Sequence, residues 1–78
     1  MSEIIQFVAM PFDLTSEGLV AGEPFKCESP ASAIERAKAM WKIFSHSGAV
    51  AFVRAGYPET QTTILRKFGN LPDDLQVQ

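Results

Sequence analysis

Residues 29–46 carry the clearest helix signature in the chain, and one helix limits how the remaining elements can be covered. Ser29 is a good N-cap because its hydroxyl can accept a hydrogen bond from an unpaired amide of the first turn. Pro30 suits the first helical position, where its missing N–H costs nothing. Apolar residues then recur at intervals of three and four, which predicts a helix over 30–46 with Gly48 as its stop. We interpret the stripe as core: Ala33, Ile34, Ala37, Met40, Trp41 and Phe44.

Four segments have the β-branched and aromatic content of strands, two before this helix and two after it. The first, at 4–10, and the third, at 49–55, are apolar on both faces, which is typical of central strands covered from two sides. Pro11 should weaken or end the pairing of the first strand because it has no N–H to donate. The other two strands are expected at 19–27 and 62–68.

The second and fourth strands have features of their own. Gly22 indicates a bulge, and Pro24 indicates an edge position, since a central strand would lose a hydrogen bond there. In the fourth strand, simple alternation places Ile64 and Phe68 on one face and Leu65 on the other.

These segments predict an α+β domain of order ββαββ: a four-stranded antiparallel sheet with one helix, at about 30–46, packed on one face. The chain of 78 residues forms a single domain, 1–78, in which 69–78 is an irregular tail that brings Leu71 and Leu75 back onto the domain. One helix of about 17 residues can cover one face of such a sheet. The other apolar face then lacks a cover, so we expect a homodimer that buries sheet against sheet.

Composition argues against several classes of site. The formal net charge is −2, and the chain has one cysteine and one histidine, so neither an internal disulfide nor a standard zinc cluster can form. An acidic balance without a basic stripe is a poor match for nucleic-acid binding. The N-terminal stretch lacks the basic residues of a signal peptide, and no apolar run has membrane-spanning length. We therefore expect a cytoplasmic protein with no cofactor, no nucleic-acid partner and no membrane partner.

Cys27 and His46 have the side chains most suited to chemistry. Cys27 precedes the N-cap by two residues, where the helix field could lower its pKa; the alternative is a half-buried structural cysteine at a strand end. His46 is expected to cap the last helical carbonyls, with a general base as the alternative. A helix over 30–46 would separate the two residues by more than roughly 20 Å, so a Cys–His nucleophilic pair is not expected.

The charged residues offer two weaker candidates. Asp73 and Asp74 are interpreted as solvated tail residues rather than paired catalytic carboxylates. Arg54, Arg66 and Lys67 are interpreted as charges that discourage aggregation at the sheet edge. If Arg54 and Arg66 share a face, they could instead bind an anion or an acidic side chain of a partner. No catalytic, cofactor-binding or metal-binding residue is predicted.

Residues 39–41, 48–54 and 66–75, with the turn at 56–59, resemble a family of small uncharacterised bacterial proteins, mostly from alphaproteobacteria. The resemblance covers roughly residues 4–75. It implies no activity and transfers no catalytic residue, but it favours a whole bacterial domain over a fragment.

The leading hypothesis is a non-enzymatic interaction or regulatory module that is homodimeric through a sheet face. The alternative is a small-molecule or peptide-binding domain with its pocket between helix and sheet or across the dimer. An enzyme ranks third, because it would require Cys27, His46 or the carboxylates to converge.

Overall fold

The computed structural model describes residues 4–56, 61–72 and 75. Its elements, in chain order, are β1 (Ile4–Thr15), β2 (Gly18–Ala21), β3 (Phe25–Cys27), α1 (Pro30–Lys42), β4 (Gly48–Gly56) and β5 (Gln61–Gly69). The strands form one antiparallel sheet in the order β2–β1–β4–β5, and β3 also pairs with β1. The α+β class is confirmed, with five strands instead of four. The predicted turn at 56–59 lies outside the described residues, apart from Gly56.

Pro11 lies inside β1, which continues for four more residues and stays paired with β4, so the pairing does not end there. The pairing is interrupted on the other edge of β1, between β2 and β3. The carbonyl oxygen of Pro11 accepts a hydrogen bond of 2.7 Å from the N–H of Gly22. The nitrogen and oxygen of one residue face the same edge of an antiparallel strand, so the nitrogen of Pro11 faces residues 22–24. There β2 has ended and β3 has not begun, and the missing N–H costs no ladder bond. The edge position expected from Pro24 is confirmed.

Helix α1 begins where the sequence predicts and ends four residues earlier. Ser29 has extended backbone angles, and its hydroxyl accepts a hydrogen bond of 3.1 Å from the N–H of Ser32. The helix ends at Lys42 instead of residue 46, because the left-handed turn falls at Ser45, with a φ of 61°. Gly48 is the first residue of β4 and not the helix stop. Within the described residues, no helix has the length and hydrophobicity needed to cross a membrane.

Alanines make the central contact between α1 and the sheet. Ala33 and Ala37 on the helix meet Ala9, Ala49 and Ala51 on β1 and β4, and all five are fully buried. Small side chains on both surfaces allow the helix to lie close to the sheet. Larger side chains pack around this contact: Phe7, Ile34, Met40, Trp41, Leu65 and Phe68. The core interpretation of the helix stripe is therefore confirmed except at Phe44, which follows the end of α1 and is 60% exposed.

The opposite face, here called the second face, carries the larger side chains of β1 and β4. Leu71 and Leu75 pack against them, so the expected return of these two leucines is confirmed. Gly48 makes room for this segment, since a Cβ there would lie 2.8 Å from Cγ of Leu71. The premise that this face lacks a cover was therefore wrong. Its buried residues are Val8, Met10, Phe12, Val50 and Phe52.

A bulge in β5 changes which side chains face the helix. The register against β4 shifts between Ala51 and Phe52, which leaves Leu65 without an opposite residue. Leu65 and Phe68 consequently pack on the helix side, and Ile64 packs on the second face. The prediction that Ile64 and Phe68 share a face was wrong, because one inserted residue reverses the alternation.

Replacing Leu71 with alanine tests the intramolecular cover of the second face. We expect Leu71→Ala to lower the free energy of unfolding by about 1–2 kcal/mol, because apolar contact with the core is lost. Leu14→Ala is the matched control, since Leu14 is 72% exposed and should change stability little. Urea denaturation of both variants measures the difference. Equal effects would contradict the proposed cover.

Replacing Gly69 with alanine tests the close approach of β5 to the start of β4. Gly69 has a φ of 82°, and a Cβ there would lie 2.5 Å from the carbonyl oxygen of Ser47. We expect a loss of about 2 kcal/mol or more, from backbone strain and the clash together. Gly18→Ala is the control, because Gly18 has a φ of 114° but open space around it. Its loss in thermal denaturation should be clearly smaller.

Candidate functional site

A group of hydrogen bonds ties the loop after α1 to the end of β1. Nδ1 of His46 lies 2.8 Å from Oδ2 of Asp13, and the N–H of Ser47 donates to Oδ1 of the same carboxylate at 3.2 Å. The hydroxyl of Ser47 accepts a hydrogen bond of 3.1 Å from the N–H of Leu14. This last bond continues the β1–β4 ladder beyond its final residue pair. We call Asp13, His46 and Ser47 the loop clip.

The carboxylate of Asp13 is the charged centre of the loop clip. The hydrogen bond from His46, and after it that from the Ser47 N–H, lower the pKa of Asp13 below its ordinary value. An ionised carboxylate can only accept, so Nδ1 of His46 must carry the proton in this contact. The arrangement matches the Asp–His part of a hydrolase triad. Among the described residues, however, no hydroxyl or thiol is hydrogen-bonded to the imidazole.

His46 does not have the capping role expected of its side chain. Its backbone N–H donates to the carbonyl of Met40 at 3.1 Å, while the imidazole turns to Asp13. Asp13 was not singled out in the sequence, because ending the first strand at Pro11 placed it in a connecting turn. A strand extended to Thr15 would have put Asp13 beside the end of the helix.

Cys27 is a structural cysteine at the end of β3. Its Sγ donates to the carbonyl of Phe25 at 3.6 Å, and burial raises the pKa of the thiol, although the Arg36 guanidinium acts in the opposite direction. The raised pKa supports the alternative of a half-buried structural cysteine. Cys27 pairs with Phe7 in the sheet, six residues along β1 from Asp13 and so about 20 Å from the loop clip. The cysteine and the histidine do not meet.

The basic residues of β4 and β5 do not form the anion site considered above. The guanidinium of Arg54 lies 5.4 Å from the ring centre of Phe52, on the second face. That of Arg66 lies 6.0 Å from the ring centre of Phe68, on the helix side. The two arginines therefore lie on opposite faces of the sheet. Nζ of Lys67 donates to the carbonyl of Pro72 at 3.5 Å.

The described residues include no further acidic or metal-binding site. Asp73 and Asp74 lie outside the described residues. In the part of the chain that the structure describes, no group of three His, Cys, Asp or Glu side chains could hold a metal ion.

Large apolar side chains remain exposed around the loop clip. Leu14 and Ile43 are each 72% exposed, Phe44 is 60% exposed and Val20 is 47% exposed. Val20 lies opposite Asp13 on the helix side of the sheet, and Ile43 and Phe44 lead into His46 at the end of the helix. Leu14 lies at the same end of the fold but on the second face, because it pairs with Leu19, which packs there. We call these four exposed residues the helix-end patch.

Two open depressions lie on the outer side of α1, away from the sheet. One has a volume of about 580 Å³ and the other of about 270 Å³. They share Glu35 and Ala39, and the second also borders on Ile43 of the helix-end patch. The space between helix and sheet is instead filled by buried alanines.

No protein-family model, curated protein or solved structure matches the chain. The resemblance to a bacterial family stays a prediction, and a functional assignment has to come from the geometry.

Acidification tests the loop clip. Because the pKa of Asp13 is lower in the folded protein than its ordinary value of 3.8, its ionised form contributes stability above that value. This contribution should be lost as the pH falls below about 4, through the folded-state pKa. We expect Asp13→Asn to be less stable than the wild type at neutral pH and to lose less stability on acidification. Urea denaturation at several pH values measures both effects.

Glu23→Gln serves as the control for acidification, because Glu23 is an exposed carboxylate in the break between β2 and β3. If Asp13→Asn has the same pH dependence as the wild type and Glu23→Gln, the ionised carboxylate of Asp13 contributes nothing to folding.

Proposed function

We propose that this protein is a non-enzymatic, cytoplasmic interaction module that acts as a homodimer. The observation that carries the proposal is the helix-end patch. Val20, Ile43 and Phe44 are exposed on the helix side at one end of a small fold, and Leu14 is exposed on the second face at the same end. A concentration of exposed large apolar side chains is typical of protein contacts. A second subunit would also supply the extra burial that a chain of 78 residues gains from a partner.

The location of the contact differs from the sheet face expected from the sequence. On the second face, Val50 and Phe52 are fully buried within one chain, so a partner could not reach them without displacing Leu71 and Leu75. The two sheet edges are also poor contact sites. The β2–β3 edge is interrupted at residues 22–24, and β5 carries a bulge and two adjacent basic residues. These features favour the helix-end patch.

The alternative, a small-molecule or peptide binder with a pocket between helix and sheet, has less support. Ala33 and Ala37 lie directly on the sheet alanines and are fully buried, which leaves no space for a ligand at that contact. The depressions on the outer side of α1 are open rather than enclosed. Ligand pockets normally bury most of the ligand surface.

Sedimentation velocity over a range of protein concentrations tests the homodimer. The wild type should shift from monomer to dimer as its concentration rises. Ile43→Asp should weaken association by about tenfold or more, because a charge would be buried in the contact. Ile5→Asp is the matched control, since Ile5 is also exposed, at 56%, but lies toward the opposite end of β1.

Circular dichroism must show that both isoleucine variants remain folded. A wild type that stays monomeric at every concentration would refute the homodimer. Equal weakening by Ile5→Asp and Ile43→Asp would refute the helix-end patch as its contact.

A further inference from the structure

The outer side of α1 carries a stripe that points away from the sheet. Ser32, Glu35, Ala39 and Lys42 follow one another at intervals of three, four and three, so they lie on one side of the helix. This is the spacing with which one helix packs along another. Ser32, Glu35 and Lys42 are exposed, and the small side chain of Ala39 lies near the centre of the stripe.

Ile43 projects beside this stripe. Arg36 lies seven residues earlier, and therefore on the same side of the helix; its guanidinium is 4.0 Å from the ring centre of Phe25 on β3. This side of α1 thus faces the β2–β3 edge of the sheet, where Val20 is also exposed. An isoleucine that is 72% exposed at this position has no apolar cover of its own.

We propose that a second copy of this chain docks antiparallel along the outer side of α1. Ile43 of each copy enters the depression of the other that is bounded by Ser32, Glu35 and Arg36, and Glu35 of each copy pairs with Lys42 of the other. This arrangement rests on the proposed homodimer and specifies its contact.

One two-fold axis satisfies both contacts. Glu35 and Lys42 are seven residues, or about 10.5 Å, apart along the helix, and the midpoint between them lies between Lys38 and Ala39. A two-fold axis at that level exchanges Glu35 with Lys42 of the second copy. The same axis places Ile43 opposite residues 34 and 35, near the middle of the depression lined by Ala31, Ser32, Glu35, Arg36 and Ala39. A single register therefore fits the apolar side chain and the charges.

In this arrangement Glu35 of each copy faces Lys42 of the other, while Lys38, at the margin of the stripe, comes to nearly the same level as Lys38 of the second copy. Among the described residues, Glu35 forms no ion pair within its own chain, and Nζ of Lys42 lies 5.7 Å from the ring centre of Trp41. Two-fold symmetry makes each Glu35–Lys42 contact occur twice. Ala39, near the axis, is small enough to let the helices approach closely.

The contact is modest in size. We expect a contact along one helix of 13 residues to bury no more than the roughly 1,200 Å² that marks the lower limit of stable interfaces. We therefore expect a dimer that dissociates in the micromolar range and is sensitive to salt, since its ion pairs lie near solvent.

Charge-reversal variants test the docking register. Their association is measured by sedimentation equilibrium at protein concentrations of about 10 to 500 µM. Glu35→Lys and Lys42→Glu should each weaken association by about tenfold or more, because two attractive contacts become repulsive. The double variant Glu35→Lys/Lys42→Glu should recover most of the wild-type association. An equimolar mixture of the two single variants should form a heterodimer, in which both contacts are again between opposite charges.

Two exposed residues away from the stripe provide controls with the same charge changes. Glu28 lies before the helix and Lys26 lies on β3. Neither Glu28→Lys nor Lys26→Glu should weaken association. If the double variant associates no better than the single variants, or if the controls weaken association equally, this docking register is wrong. The homodimer itself would then still stand, provided that Ile43→Asp weakens association and Ile5→Asp does not. A wild type that is monomeric throughout would overturn both proposals.

Discussion

The close contact of alanines between α1 and the sheet determines how the rest of the chain is arranged. Because Ala33 and Ala37 lie directly on Ala9, Ala49 and Ala51, the middle of this layer is thin. Bulky residues are displaced to its rim, where the rings of Trp41 and Phe68 stack with their centres 6.0 Å apart. The larger side chains of β1 and β4 lie on the second face, where they form a thicker apolar layer.

The difference in side-chain size between the two faces is visible in the sequences of β1 and β4. It explains which parts of the fold could be predicted. Val8, Ala9 and Met10 alternate large and small, as do residues 49–52 in β4. Apolar content alone identified these strands as covered on both faces. The size alternation indicates which face takes the helix, because the small side chains all lie on the face that α1 covers. The bulge at Leu65 left no mark in the composition of β5, because Ile64 and Leu65 are both apolar and either could face the helix.

The polar part of the molecule was less accessible to prediction than its core. The capping of α1 by Ser29 depends on neighbouring residues and was predicted correctly. The loop clip joins Asp13 to His46 across 33 residues, and such a contact follows from strand register instead of local pattern. Because Pro11 was taken to end β1, Asp13 was placed in a turn. The exposed end of the fold was missed because the helix was expected to continue to residue 46. Its earlier end at Lys42 leaves Phe44, which was predicted as core, exposed beside Ile43.

The return of Leu71 and Leu75 onto the second face has a consequence for how the protein is made. Synthesis proceeds from the N-terminus toward the C-terminus, so β1 leaves the ribosome before the segments that cover it. Its main partner, β4, follows more than thirty residues later, and the leucines that close the second face later still. Until then, the apolar side chains of β1 have no lasting cover, and a nascent chain in this state is a natural substrate for chaperones. The domain can therefore complete its fold only after residue 75 has emerged from the ribosome.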